Sequence, residues 1–186
     1  MKAIKVKVLE YLLENGRDNV LNISKGIGSN YSNVYQNVTA MEELYIERYG
    51  NSKYVSLKRK LTPLLYQAES NRKDFLLKAE DIRNINRKLD KIQNPFFIVL
   101  LFGSRLEGKK NRDIDLCVIT DSAEVKKQVE EELDTLTYDV DLNVFTSKQF
   151  REMIALKKPN LGNEILSRNV VLKGIENYYE LIKWEK

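Results

Sequence analysis

The stretch Phe96-Phe97-Ile98-Val99-Leu100-Leu101-Phe102-Gly103-Ser104-Arg105, followed by Asp113-Ile114-Asp115-Leu116-Cys117-Val118-Ile119, decides how the second half of this chain folds. The apolar run Phe96 to Phe102 reads as a buried strand that delivers Gly103-Ser104 at its end. A second strand begins at Asp113. Side chains alternate faces along a strand, so Asp113 and Asp115 project to the same side. Two carboxylates held that way suit Mg²⁺ (or Mn²⁺), a hard cation that takes one or two carboxylates and leaves positions for phosphates. A Gly-Ser turn entering a helix offers backbone N–H groups and a hydroxyl to a triphosphate. Metal and phosphate sites side by side mean phosphoryl or nucleotidyl chemistry.

A two-metal site needs a further acid, to hold the second metal ion or to activate the attacking group. Tyr138-Asp139-Val140-Asp141-Leu142-Asn143-Val144-Phe145 supplies it, alternating polar and apolar with Asp141 at its centre and Asp139 on the same face. As a third strand beside Asp113 to Ile119, it would bring Asp141 near the other pair. Asp139 reads as a solvated edge position. Gly-Ser, a spacer, Asp-x-Asp and a later apolar-Asp-apolar strand together resemble the nucleotidyltransferase superfamily that includes DNA polymerase beta. The nearest likeness is to its small prokaryotic members, the antitoxin partners of HEPN-domain toxins, and it runs over roughly residues 70–186. The resemblance implies that Gly103 and Ser104, assisted by Arg105, bind the phosphates of an NTP, with ATP the default. It implies that Asp113 and Asp115 bind Mg²⁺, and that Asp141 completes the catalytic site. It also implies AMP transfer to a hydroxyl such as a tyrosine on a partner toxin. The spacer Lys109-Lys110-Asn111-Arg112 is shorter than is usual in that family, and its cations can meet phosphates.

Composition narrows the remaining chemistry. The chain has 186 residues, enough for one large domain or two small ones with separate cores. It has no histidine and one cysteine, which excludes Ser-His-Asp and Cys-His catalysis, the usual zinc sites and an intrachain disulfide. Cys117, between Leu116 and Val118, reads as a small core residue. The apolar run at Phe96 is too short to span a bilayer, and Met1 to Lys7 alternates charge with apolar residues, unlike a signal peptide. A cytoplasmic protein without a membrane contact is expected.

Net charge is +4, and residues 1–60 alone hold ten Lys/Arg against six Asp/Glu. The nucleic-acid question therefore belongs to that segment. Ile4, Val8 and Leu12 space a first helix that stops at Asn15-Gly16. Val20, Ile23 and Ile27 make a second, closed by Gly28. Ser29 or Asn30 caps a third, whose buried stripe is Val34, Val38, Met41 and Leu44-Tyr45. Two short β segments follow, Tyr45 to Tyr49 and Tyr54 to Leu57. Three helices and a hairpin resemble the winged helix-turn-helix of MarR/ArsR-type regulators. That likeness implies a third helix entering the DNA major groove, with Ser32, Asn33, Gln36 and Asn37 exposed. This helix has no Lys or Arg and ends in Glu42-Glu43. Phosphate contacts would come from Arg48, Lys53, Lys58, Arg59 and Lys60, with Lys25 beside them.

The expected architecture is α+β: a winged helix-turn-helix domain over 1–62, a connecting helical segment over 63–94, and a nucleotidyltransferase domain with a short mixed sheet over 95–186. Thr62 and Pro63 open the connector, whose apolar stripe is Phe75, Leu76, Ala79, Ile82, Ile85, Leu89 and Ile92. A helix over 123–136 joins the second and third strands, and helices run on to Trp184. The function expected is NMP transfer coupled to DNA binding, as in an antitoxin repressing its own promoter. The alternatives are a regulator whose second domain senses nucleotide or a partner without catalysis, and an RNA-modifying transferase. A homodimer is compatible with the long connector.

Overall fold

The computed structural model describes residues 3–107, 113–156 and 158–183. They divide into two compact units, one running to Asn71 and taking in Lys183, the other Arg72–Ile182. The class is α+β.

In the first unit, α1 (Ile4–Asn15) buries Val8, Leu9 and Leu12 and ends at Gly16, whose φ of 71° only glycine adopts easily. A two-residue strand, β1 (Asp18–Asn19), was not legible in the sequence. It leads into α2 (Val20–Gly26), capped by the Asn19 side chain, and then α3 (Tyr31–Thr39), capped by Asn30. The hairpin is β2 (Leu44–Tyr49) and β3 (Ser52–Leu57), and the antiparallel sheet has the order β1-β3-β2. Leu44 and Val55 point to the core, so the alternate residues Tyr45, Glu47 and Tyr49 face outward. Tyr45, expected in the buried stripe, is 57% exposed because the strand begins at Leu44 and reverses its direction. Glu43, read as part of the end of the third helix, lies beyond α3, which stops at Thr39. It is buried, and the Thr62 hydroxyl donates to it at 2.9 Å, while the Leu65 N–H donates to Thr62 at the start of α4 (Pro63–Leu76).

The boundary between the units falls inside α4. The connector is not one helix. Leu77 to Ala79 break it, and α5 (Glu80–Asp90) follows with Ile82, Ile85 and Leu89 buried. The break resets the helical phase, so Phe75 is 69% exposed instead of lying in the stripe.

The second unit is built on a four-stranded mixed sheet. Its strands are β4 (Ile98–Leu101), β5 (Ile114–Ile119), β6 (Val140–Phe145) and β7 (Val170–Lys173), in the order β6-β5-β4-β7. All four residues of β4 are buried, as a central strand requires. A crossover through α6 (Ala123–Leu133), capped by Ser122, makes β5 and β6 parallel. Helices α7 (Ser147–Ala155), with a Thr146/Gln149 capping box, and α8 (Leu161–Ser167) precede β7, and α9 (Ile175–Ile182) follows it. Strand β7 replaces part of the expected helical tail. The core joins Ile82, Ile85 and Leu89 to Val99, Leu101, Leu116, Val118, Val125 and Val129. Cys117, on the face of β5 opposite Leu116 and Val118, is also fully buried, and burial pushes its thiol up to about 12, so it stays protonated and unreactive at neutral pH. Among the described residues, no helix is long and apolar enough to cross a membrane.

Gly174 closes β7 with a φ of 79°, and a Cβ there would lie 2.5 Å from the Phe97 carbonyl oxygen. Gly174→Ala combines a left-handed conformation with a backbone collision. The expected loss is about 3 kcal/mol of stability, read from denaturant unfolding. An unchanged unfolding curve would show that the chain does not turn against Phe97 in this way.

Candidate active site

Strand β4 runs out at Phe102, whose N–H donates to the Asp115 carbonyl at 3.1 Å. Gly103 then turns the chain at φ 69° into a short 3₁₀ turn, Gly103–Glu107. This turn sits against Asp115: a Cβ on Gly103 would lie 2.1 Å from Asp115 Oδ2. Only a residue without a side chain permits that approach. The backbone N–H of Ser104 donates to the Asp115 carboxylate. An N–H that the sequence reading assigns to a phosphate is therefore turned to a carboxylate.

In β5 and β6, Asp115 pairs directly with Asp141, and paired residues of neighbouring strands share a face. Asp113 lies just ahead of β5, and the Ile114 N–H beside it donates to the Asp139 carbonyl at 3.1 Å. Asp113, Asp139 and Asp141 are exposed, and Asp115 is half-buried. Burial is the main cause that raises the Asp115 carboxyl above its ordinary range. The Ser104 N–H opposes it, and the charges of Asp141 and Asp113 add to it. Asp113 and Asp141 thus both act on Asp115.

Among the described residues, no Lys or Arg pairs with Asp113, Asp115 or Asp141, so none of those cations relieves the repulsion. Also among them, no group of three His, Cys, Asp or Glu side chains is close enough to hold a metal by itself. A hard, oxygen-only donor set under mutual repulsion fits Mg²⁺, which dehydrates reluctantly and takes one or two carboxylates with the remainder from water and phosphate.

Arg105 is engaged elsewhere. Its side chain is 10% exposed and forms an ion pair with Asp81, at the start of α5. The Tyr138 hydroxyl donates to the Asp81 carbonyl at 2.9 Å. Asp81 thereby ties the Gly-Ser turn to α5 and to the approach of β6. No spacing pattern announced it, because the ion pair joins residues far apart in the chain. Lys109, Lys110 and Arg112 lie outside the described residues.

In the first unit, Ser32, Asn33 and Gln36 are exposed on α3, and Asn37 donates to the Asn33 side chain at 3.1 Å. Lys53 bonds the Tyr35 hydroxyl from the hairpin, with Nζ 4.3 Å from that ring's centroid. Arg48, cross-strand from Lys53, is exposed and donates to the Gly50 carbonyl at 3.2 Å. Arg48 and Lys53 therefore share the hairpin face that looks toward α3. Lys25, Arg59 and Lys60 are exposed, and Lys58 is half-buried.

Against protein-family models, curated proteins and solved structures, the chain matches none.

Proposed function

We propose that the second unit is a Mg²⁺-dependent nucleotidyltransferase that moves NMP, with AMP the default, from an NTP to a hydroxyl acceptor. The observation that carries this reading is the side-by-side register of Asp115 and Asp141, with the Gly103-Ser104 turn seated on Asp115. The motif resemblance supplies the reaction class. Asp113 and Asp115 would hold the cation. When bound, Mg²⁺ neutralises charge that builds on the phosphates. The Ser104 hydroxyl and the amides of the turn other than the Ser104 N–H orient the triphosphate. The acceptor oxygen bonds to the α-phosphorus as the bond to the bridging oxygen breaks, and pyrophosphate leaves. Asp141 takes the acceptor's proton. Arg105, held by Asp81, fixes the turn in this reading and does not reach for phosphate.

The first unit, in this proposal, binds duplex DNA with α3 and with Arg48 and Lys53 on the same side. By the family likeness, a HEPN-type toxin is the protein partner and acceptor. A second reading is a DNA-binding regulator whose second unit senses nucleotide or binds a partner without transfer. The Ser104 N–H, already donating to Asp115 and so turned from phosphate, favours the partner-binding form of it.

Purified protein with Mg²⁺ and α-labelled ATP separates the two. Transfer of label to the protein or to a co-expressed partner, lost in Asp113→Asn and Asp115→Asn, supports the transferase. Saturable nucleotide binding with no transfer supports the regulator. For DNA, neutralising Lys58, Arg59 and Lys60 together is expected to lower the salt dependence of duplex binding by about three in log–log slope. A slope that does not move places the phosphate contacts elsewhere.

A further inference from the structure

The hairpin of the first unit has a second face. Its alternation sends Tyr45, Glu47 and Tyr49 of β2, with Ser52, Tyr54 and Ser56 of β3, to the side opposite Leu44 and Val55. This is also the side opposite Arg48 and Lys53, so of the residues proposed above for duplex DNA it shares only Lys58. A solvated sheet face is ordinarily polar. Here Tyr45 and Tyr49 are each 57% exposed. They stand four residues apart on one strand, about 13 Å.

Each ring carries a cation. The Arg17 guanidinium lies 4.9 Å from the Tyr49 centroid and 5.1 Å from that of Tyr54, and the two rings meet edge to face at 5.8 Å. Glu47 holds Arg17 in place at 2.7 Å. Lys58 Nζ lies 5.4 Å from the Tyr45 centroid. The face thus presents exposed aromatic surfaces interleaved with two positive charges, against the single negative charge of Glu47. Rings stack on bases whatever their sequence, and adjacent cations meet the backbone between them. A protein partner would use the apolar rings but would leave Lys58 without a phosphate to answer it. Duplex DNA hides its base faces and cannot stack here.

We propose that the outer face of this hairpin, built on Tyr45, Tyr49 and Tyr54 with Arg17 and Lys58, binds single-stranded nucleic acid by base stacking.

The test measures fluorescence anisotropy of labelled single-stranded DNA and RNA oligonucleotides with the full chain at low salt, beside a duplex of matched sequence. Tyr45→Ala with Tyr49→Ala is expected to weaken single-strand binding at least tenfold and to leave duplex binding unchanged. Tyr45→Phe with Tyr49→Phe should retain the affinity, because the ring faces remain. Preference for the RNA or DNA arm identifies which strand is taken. Single-strand binding that is absent in the wild type, or equal in wild type and the alanine variant, overturns the proposal. So does an alanine variant that loses self-association by sedimentation while still binding oligonucleotide, since the face would then join two copies of the chain. Failure of duplex binding in all variants would strike the α3 reading and leave this one standing.

Discussion

Asp115→Asn is expected to lower the labelling rate at least about a hundredfold while raising the melting temperature of the cation-free protein. Supporting residues around a metal already cost ten- to a hundredfold when removed, and a direct carboxylate ligand should exceed that. The stability gain has a separate cause. Burial, and the charges of Asp141 and Asp113, raise the Asp115 carboxyl despite the Ser104 N–H. As pH climbs from the ordinary aspartate range through the raised folded value, the native state still holds a proton that the unfolded chain has released. Native stability therefore falls across that window. Asparagine keeps the shape and has no charge to strand, so the variant should lack this loss and exceed the wild type most clearly at neutral pH. Added Mg²⁺ should stabilise the wild type and do little for the variant, which reverses their order. Thermal melts of both proteins at mildly acid and neutral pH, with chelator and with Mg²⁺, read all three effects. A variant that is less stable than the wild type in chelator would mean that Asp115 is held by favourable contacts and is no strained ligand.

The parts legible in the sequence were those that local periodicity governs. The helical stripes of α1 and α3, the caps at Asn30 and Thr62 and the stop at Gly16 all depend on residues within a turn or two. The alternation around Asp141 was equally local, and parallel pairing then set it beside Asp115. What escaped depends on contacts between distant residues. Strand β1 is two residues long and exists because β3 offers it hydrogen bonds. Val170 to Leu172 is too short an apolar run to separate strand from helix until β4 stands beside it. Tyr45 and Phe75 were misplaced for one shared reason. In each, a period was continued across a break in the backbone, at Ala40-Met41 and at Leu77 to Ala79, where the facing direction is reset. The Asp81–Arg105 ion pair changes the reading of Arg105 most, and nothing in either local segment foretells it.

Gly103→Ala should damage stability and chemistry together, because the same few atoms carry both. At φ 69° an alanine pays roughly 1–2 kcal/mol for the left-handed backbone alone. Its Cβ would also stand 2.1 Å from Asp115 Oδ2 and 2.6 Å from Asp115 Cγ, separations that no side chain tolerates. Either Asp115 rotates and gives up the Ser104 N–H, or the turn lifts away from β5. The combined expectation is about 3 kcal/mol of lost stability. Both escapes also separate the nucleotide-orienting turn from the carboxylate beside it. A misplacement of about 1 Å at a reacting centre costs on the order of a hundredfold in rate, so labelling should fall by at least that much. A double-mutant cycle isolates the contact. In an Asp115→Ala background the two closest atoms are gone and the nearest remaining one, Asp115 Cβ, is 3.0 Å away. Gly103→Ala should then cost only its backbone strain, leaving a coupling of about 1 kcal/mol or more between the two sites. Additive losses would mean that the turn does not rest on Asp115, and the juxtaposition of phosphate turn and metal acids would lose its physical basis.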